Sequence, residues 1–375
     1  MASSRVVVVT GGSAGIGRAA ALAFARDGAR VAVLARGEDR LEDTCRELRA
    51  AGAVAMALAV DVADPAQVEE AAARIERELG PIATWVNNAA TTVFAPVSDT
   101  TAEEFRRVTE VTYLGTVHGT LAALRRMLPR DEGCIVQVGS ALAYRSIPLQ
   151  SAYCAAKAAI RGFTDALRSE LIHDRSRVRL TMVQLSAFNT PQFDWARNKL
   201  PRRVQPVPPI FQPEVAGDAI LHASLEPRRE VWVGWPAVKS ILSTRVLPGL
   251  GDRLAARMAY DGQQTDEAKP QEQPDSLLKP IAGGFGAHGR FDDRSRGSSL
   301  QWQLSKHRQG VAAVALLAIG GAAAAWWMAR NASLRRDHPK VMRTSTSRAV
   351  AGRSTRAAAP ALAAPMQDHS TSTIR

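Results

Sequence analysis

The sequence predicts an α/β fold whose single large domain, residues 1–261, is built on a doubly wound parallel sheet, and two observations carry that reading. Short apolar runs at 5–9 (RVVVV), 31–35 (VAVLA), 55–60 (AMALAV), 83–86 (ATWV), 134–138 (CIVQV) and 179–185 (RLTMVQL) are separated by amphipathic stretches of 12–20 residues, with EVWVG at 230–234 as the last strand. Runs that do not alternate with polar residues belong to strands buried on both faces, as in a parallel sheet covered by helices. The second observation is a glycine-rich segment that follows the first run directly and opens an Ala-rich helix. Ligands of such sheets bind beyond the carboxyl ends of the strands, so the chemistry is sought there.

After the first strand comes Thr10-Gly11-Gly12-Ser13-Ala14-Gly15-Ile16-Gly17. Glycines here permit a tight turn and a close backbone approach to a pyrophosphate seated on the helix N-terminus. Such turns also arise for steric reasons alone, and it is the strand–turn–helix setting that makes this one a nucleotide site. The second strand ends in Leu34-Ala35-Arg36. An acidic residue at this point would take a ribose 2′-hydroxyl, whereas the Arg36 guanidinium suits a 2′-phosphate, which favours NADP(H) over NAD(H). Asp61-Val62, after the third strand, can hydrogen-bond an adenine or merely form a turn. Asn87-Asn88-Ala89-Ala90 after the fourth is a small polar turn that lets backbone approach the cofactor.

Ser140 follows the fifth strand, Tyr153 lies thirteen residues later and Lys157 four beyond it. The i, i+4 spacing puts Tyr153 and Lys157 on one face of a helix beginning near Ser151. A phenol with a pKa near 10 is a poor proton partner at neutral pH unless its phenolate is stabilised, which a neighbouring ammonium can do. Tyr-x-x-x-Lys alone is a common helix-surface pair; the preceding serine and the glycine turn of the same sheet make it a reaction site.

Together these segments resemble the short-chain dehydrogenase/reductase family, whose marks appear as TGGSAGIG (10–17), NNAA (87–90), Ser140 and YCAAK (153–157). The resemblance covers about residues 4–235. It implies a single Rossmann-type domain, a nicotinamide cofactor and reversible alcohol–carbonyl hydride transfer. Matched by position, Tyr153 is the acid/base, Ser140 the oxyanion partner and Lys157 the ribose ligand that lowers the Tyr153 pKa. Thr190, after the sixth strand, touches the nicotinamide carboxamide. Three departures stand out: Thr112, in Thr112-Tyr113-Leu114-Gly115, occupies the place of a proton-relay Asn; Ala90 replaces a Gly; and Leu185-Ser186-Ala187 replaces a Pro-Gly turn.

Residues 186–213 sit where this fold places a substrate-covering loop, and they hold Phe188, Phe193, Trp195, Phe211, Arg197, Lys199, Arg202 and Arg203. They read as an apolar lid with a basic rim over a lipophilic substrate, or as aromatics that only pack the loop itself. From Gly262 to about Gly310 the chain turns rich in Gln, Pro, Asp, Gly and Arg, which reads as a linker or loosely packed extension.

Val311–Met328 is an uncharged stretch of eighteen residues ending beside Trp326 and Trp327. As a helix it spans about 27 Å, slightly under the roughly 30 Å hydrocarbon core. It reads as a transmembrane or membrane-anchoring helix, the alternative being a buried or oligomer-forming one, since eight of its residues are Ala and two Gly. Residues 329–375 read as a disordered basic tail.

The composition is ordinary for a folded protein, with 46% hydrophobic and 22% charged residues, which excludes wholesale disorder. Three cysteines without a C-x-x-C pair exclude a disulfide framework and a cysteine zinc site, and no metal is expected. The net charge of +12 invites a nucleic-acid reading, but residues 1–261 hold 32 Lys/Arg against 28 Asp/Glu, while 331–375 hold eight basic residues against two acidic. The tail lacks interleaved aromatics for base stacking, so anionic lipid is the better partner and no nucleic acid is expected. The N-terminus has only four valines before its glycine turn, unlike a signal peptide, so a cytoplasmic catalytic domain is expected. The resulting expectation is a membrane-associated, homo-oligomeric NADP(H)-dependent oxidoreductase. Its rival is a cofactor-binding sensor or scaffold with little or no turnover, prompted by Thr112.

Overall fold

In the computed structural model, which describes residues 5–246 and 248–336, the apolar runs become seven parallel strands. They are β1 (Val6–Thr10), β2 (Arg30–Ala35), β3 (Ala55–Ala59), β4 (Ile82–Asn87), β5 (Cys134–Val138), β6 (Arg179–Leu185) and β7 (Glu230–Val233). Their order in the sheet is β7-β6-β5-β4-β1-β2-β3. The winding reverses between β1 and β4, and a crevice opens there above the carboxyl ends of the strands.

Burial on both faces explains why the runs are unbroken. Val6 and Val8 point into a core with Trp85, Ile135 and Leu180, while Val7 and Val9 point into another with Phe24, Val33 and Val183. Each fully buried valine contributes about 1.5–3 kcal/mol, so β1 is held by both layers at once. One layer comprises α1 (Gly15–Arg26), α2 (Glu38–Ala50) and the helix Pro213–Leu225; the other comprises α3 (Pro65–Leu79), α5 (Gly115–Met127) and α6 (Ser151–His173). A Cβ on Gly217 would lie 2.9 Å from the Ala19 backbone, so only glycine lets the helix Pro213–Leu225 sit this close to α1. Helix α4 (Ala102–Val108) begins with a capping box between Thr101 and Glu104 and runs through a π-helical turn, Thr109–Leu114, into α5.

The expectation for residues 262–310 is corrected. Gln264–Ala268 pairs antiparallel with Arg202–Val204, and Ser295–Arg296 pairs with Ile210–Phe211. Leu277, Phe291 and Trp302 are fully buried against the body. Three apolar anchors spaced 11 to 14 residues apart suffice to dock a segment whose average composition is that of a linker. One compact unit accordingly extends to Val311, well past the boundary at 261.

The second unit begins at Ala312. The helix Arg308–Arg336 contains a 23-residue stretch, Arg308–Arg330, in which an 18-residue window reaches a mean hydropathy of 1.9 with none of it buried, long and apolar enough to cross a membrane. It overruns the expected 311–328 at both ends, so residues 329–336 are helical rather than part of a tail; residues 337–375 lie outside the described residues.

Trp302 tests the docking of the extension. Its indole sits in the same core as Phe24 and Val233 and donates to Asp218 Oδ2 at 2.7 Å. Trp302→Ala should destabilise the body by about 3–5 kcal/mol, read as a lower urea midpoint in circular dichroism. An unchanged midpoint would mean that the extension contributes nothing to the fold.

Candidate active site

The first wall of the crevice is a clasp between the turns that follow β1 and β4. Thr10 Oγ1 accepts from the backbone N–H of Asn88 at 2.9 Å and of Ala89 at 3.1 Å, and donates to Val86 O at 3.3 Å. The Asn88 amide returns two bonds, to Thr10 O at 2.9 Å and Gly11 O at 3.2 Å. Gly11 adopts φ +65°, and a Cβ there would lie 2.8 Å from Ala89 Cα; a Cβ on Gly17 would lie 2.2 Å from Gly11 O. The turn therefore demands glycine for packing as well as for ligand approach.

The clasp borders a cleft of about 400 Å³. Gly11, Ser13, Gly15, Ile16 and Gly17 line it from the turn, Arg36, Asp61 and Val62 from one end, and Asn88 and Ala89 from the middle. Ser140, Tyr153, Lys157 and Thr190 line it beyond β5 and β6. Every site residue named from the sequence except Thr10 thus faces this one cleft, and Thr10 acts behind it through the clasp.

The reacting groups are set by α6. Lys157 is buried; its Nζ donates to Val138 O at 2.7 Å and lies 5.6 Å from the Tyr153 ring centroid. Burial lowers the Lys157 pKa to about 8. Burial also pushes the Tyr153 phenol above its usual value, the neighbouring Cys154 adds to this, and a hydrogen bond with Ser140 works in the opposite direction. Burial thus favours the neutral phenol of Tyr153 and brings the pKa of the amine beside it down to about 8. Ser140 Oγ accepts from Leu142 N at 3.1 Å, which directs the hydroxyl from the end of β5.

Thr112 is fully buried in the π-helical turn. Its hydroxyl donates to Thr91 O at 3.1 Å and accepts from Thr91 N at 3.1 Å, so it secures the loop after β4. Its carbonyl accepts from the Thr116 hydroxyl at 2.9 Å.

The other end of the cleft differs from the sequence reading. Arg36 donates to the carbonyls of Leu277 at 3.3 Å, Leu278 at 3.1 Å and Ser276, all from the extension. Burial and Arg107 lower its pKa, with Asp61 opposing them. Asp61 is held by Arg107 at 2.5 Å. The same strap continues over the glycine turn: Gly15 N–H donates to Gly286 O at 3.2 Å and Arg18 donates to Phe285 O at 2.9 Å. Sequence reasoning also missed Arg40, which lines the cleft four residues beyond Arg36, in the first turn of α2. It is buried, packs 5.2 Å from the Trp195 ring centroid, and its Nε has no hydrogen-bond partner among the described residues. A second arginine so soon after Arg36, at the start of α2, was the available signal.

The loop 186–213 lines the cleft through Phe188, Phe193 and Trp195, but its cations do not form a free basic rim. Phe193 packs on Phe94 and Phe291 with ring centroids 6.0 Å apart in each case, and Phe188 packs on Phe211 at the same distance. Arg197 pairs with Asp275 and Glu104, Lys199 with Glu104, and Arg203 with Glu267. The aromatics pack the loop and the cations fasten it to α4 and the extension.

The donor set fits the phosphates of a nicotinamide dinucleotide. Arg40 Nε is a buried donor with no hydrogen-bond partner among the described residues, beside Arg36, and an anionic oxygen in the cleft would satisfy it. Arg36 would have to exchange strap carbonyls for that anion.

A family model described as short chain dehydrogenase matches residues 5–200. The uncharacterised oxidoreductase YxnA of Bacillus subtilis is 31% identical over 306 residues, covering 80% of this chain and 83% of that protein. An alcohol dehydrogenase from the archaeon Thermococcus sibiricus, solved with 5-hydroxy-NADP, is 27% identical with a TM-score of 0.52 over 61% of this chain and 95% of that one. An actinorhodin polyketide ketoreductase solved with NADPH is 26% identical with a TM-score of 0.55 over 61% of this chain and 95% of that one.

The clasp yields a direct test. Thr10→Val leaves two backbone N–H groups without their acceptor and should cost about 1–3 kcal/mol, together with a weakened titration by dinucleotide cofactor. Thr10→Ser should restore both. Equal behaviour of the Val and Ser variants would remove the clasp from the account of the site.

Proposed function

This chain belongs to the short chain dehydrogenase family of oxidoreductases, and on that premise we propose that it interconverts an alcohol and a carbonyl by hydride transfer with NADP(H), on an uncharged lipophilic substrate. The observation that carries the reading is the meeting of Ser140, Tyr153 and Lys157 with the glycine turn in one cleft. The bound nicotinamide supplies the hydride acceptor or donor.

The chain's own residues handle the proton and the oxygen. Tyr153 gives a proton to the substrate oxygen during reduction and takes it back during oxidation. Ser140 donates a hydrogen bond to that same oxygen. Lys157, fixed by the Val138 carbonyl, places a positive charge beside the phenol and favours its ionised form. The glycine turn would hold the pyrophosphate, Arg36 and Arg40 the 2′-phosphate, and Thr190 the nicotinamide carboxamide.

Preference for NADP(H) is supported by Arg36 and Arg40 together, since Asp61 is engaged by Arg107 and no carboxylate stands at the end of β2. A lipophilic substrate is supported by the cleft beyond Tyr153. There Leu142, Ile147, Val207, Pro236 and Ala237 form the wall, and the charged lining residues are Arg36, Arg40, Asp61 and Lys157, which belong to the cofactor side. Membrane attachment through the helix Arg308–Arg336 and the basic residues beyond it completes the reading. Homo-oligomerisation is supported by Leu114, Leu121 and Leu128, exposed at seven-residue intervals along α5 and its ends.

Three measurements test these statements. Tyr153→Phe should lower turnover of ketones or aldehydes by roughly 10²–10⁴-fold while NADPH binding, followed by fluorescence, persists. Survival of turnover removes Tyr153 from the mechanism. Arg36→Ala combined with Arg40→Ala should raise the KM for NADPH about tenfold or more, in line with about 1.5–3 kcal/mol per charged hydrogen bond, and leave that for NADH nearly unmoved. Because burial lowers the Lys157 pKa, its charge is present below pH about 8 and lost above it. Carbonyl reduction should therefore fall on the alkaline side of pH 8, and Lys157→Arg, which keeps its charge, should abolish that limb. A profile flat to pH 10 in the unaltered protein would contradict the role given to Lys157.

A further inference from the structure

We propose that residues 235–258 form a face that docks on an anionic phospholipid bilayer and sets the substrate end of the cleft at the membrane surface. The helix Trp235–Val246 has two unlike sides. Ala237 and Ile241 are fully buried, whereas Trp235, Lys239, Leu242 and Val246 fall within about 60° of one another at 100° per residue, and all four are exposed. The following segment continues the pattern with Leu250, Leu254 and Met258 exposed; Val246 and Met258 reach 74% and 69% exposure. Six large apolar side chains exposed within 24 residues are more than an isolated hydrophobe on a surface requires.

Charge identifies the occupant. Residues 235–260 contain Lys239, Arg245, Arg253 and Arg257 against a single acidic residue, Asp252, and that carboxylate is paired with Arg145 at 2.9 Å. Apolar side chains interleaved with unbalanced cations match a bilayer with anionic headgroups, where the apolar groups enter the interface and the cations stay with phosphate. A purely apolar partner would leave the cations desolvated. The same segment reaches the cleft with its inner side, through Pro236, Ala237, Ser240 and Ala259. One side of this hairpin-length segment therefore walls the substrate end while the other faces outward. Delivery of substrate from the bilayer rests on the lipophilic-substrate reading above; docking itself does not.

The experiment uses the full chain, whose three cysteines are buried. Val246→Cys, Met258→Cys and, as a control at the opposite end of the sheet, Ile172→Cys are labelled with an environment-sensitive fluorophore and mixed with vesicles of phosphatidylcholine with or without phosphatidylglycerol. The expected result is a blue shift and quenching by brominated lipid at 246 and 258, none at 172, and a requirement for the anionic lipid. Arg253→Gln and Arg257→Gln should each weaken this response about fivefold. Vesicle-bound protein whose 246 and 258 probes stay in water would mean attachment through the C-terminal helix alone and overturns the proposal, as does a shift that follows protein concentration without vesicles, which would mark a self-association face. Reduction of a water-soluble ketone without vesicles reports on the oxidoreductase reading separately, so the two can fail independently.

Discussion

A single hydroxyl ties together the turns that follow β1 and β4, where the winding of the sheet reverses. Thr10 at the end of β1 holds the backbone of Asn88 and Ala89 at the end of β4, and Asn88 holds Thr10 and Gly11 in return. Neighbouring strands that diverge at their ends would otherwise leave these N–H groups without acceptors in a part-buried place. Because the clasp draws the two turns to within van der Waals contact, Gly11 and Gly17 have no room for a side chain. The glycine turn is thus shaped by its neighbour before any ligand is considered, and the α1 N-terminus is aimed into the crevice as a consequence.

The reacting side depends on the same geometry in a different way. Lys157 can be buried because Val138 O, at the carboxyl end of β5, accepts from it. That bond fixes the ammonium beside the Tyr153 ring, and with no carboxylate paired to it among the described residues, burial depresses its pKa. Burial opposes ionisation of Tyr153 and of Lys157 alike, so each group is pushed toward its neutral form. A positive charge arriving in the cleft would tilt the tyrosine toward phenolate, and this makes the pair responsive to what the cleft contains. Thr112, with its side chain committed to Thr91, contributes to the site by fixing the loop after β4.

Local periodicity and turn chemistry were enough to read the sheet, because a strand buried on both faces leaves an unbroken apolar run and the next helix leaves its own period. Ser140, Tyr153 and Lys157 were legible for a related reason: their spacing is set within one strand, one loop and one helix. What could not be read depends on contacts between distant segments. Arg36 is bound by carbonyls some 240 residues later, and main-chain carbonyls leave no mark in a sequence. Arg40 becomes notable only when Trp195 and Phe285 are seen to enclose it. The basic residues of the loop 186–213 looked like a free rim because their partners, Glu104, Asp275 and Glu267, lie in α4 and the extension.

The extension also changes how binding at the cofactor end must be counted. Carbonyls of Ser276, Leu277, Leu278, Phe285 and Gly286 occupy donors of Arg36, Arg18 and Gly15. Phosphate oxygens and peptide carbonyls are both acceptors, so a ligand phosphate reaching Arg36 or Gly15 exchanges one set of hydrogen bonds for another. The net gain is the difference between a charge-assisted bond and a neutral one, together with the hydration of the released carbonyls. Arg40 is not subject to this exchange at its Nε, which has no bond to give up. Of the two guanidiniums, Arg40 would therefore return more free energy per contact with a bound phosphate, and the strap would limit how much Arg36 could add.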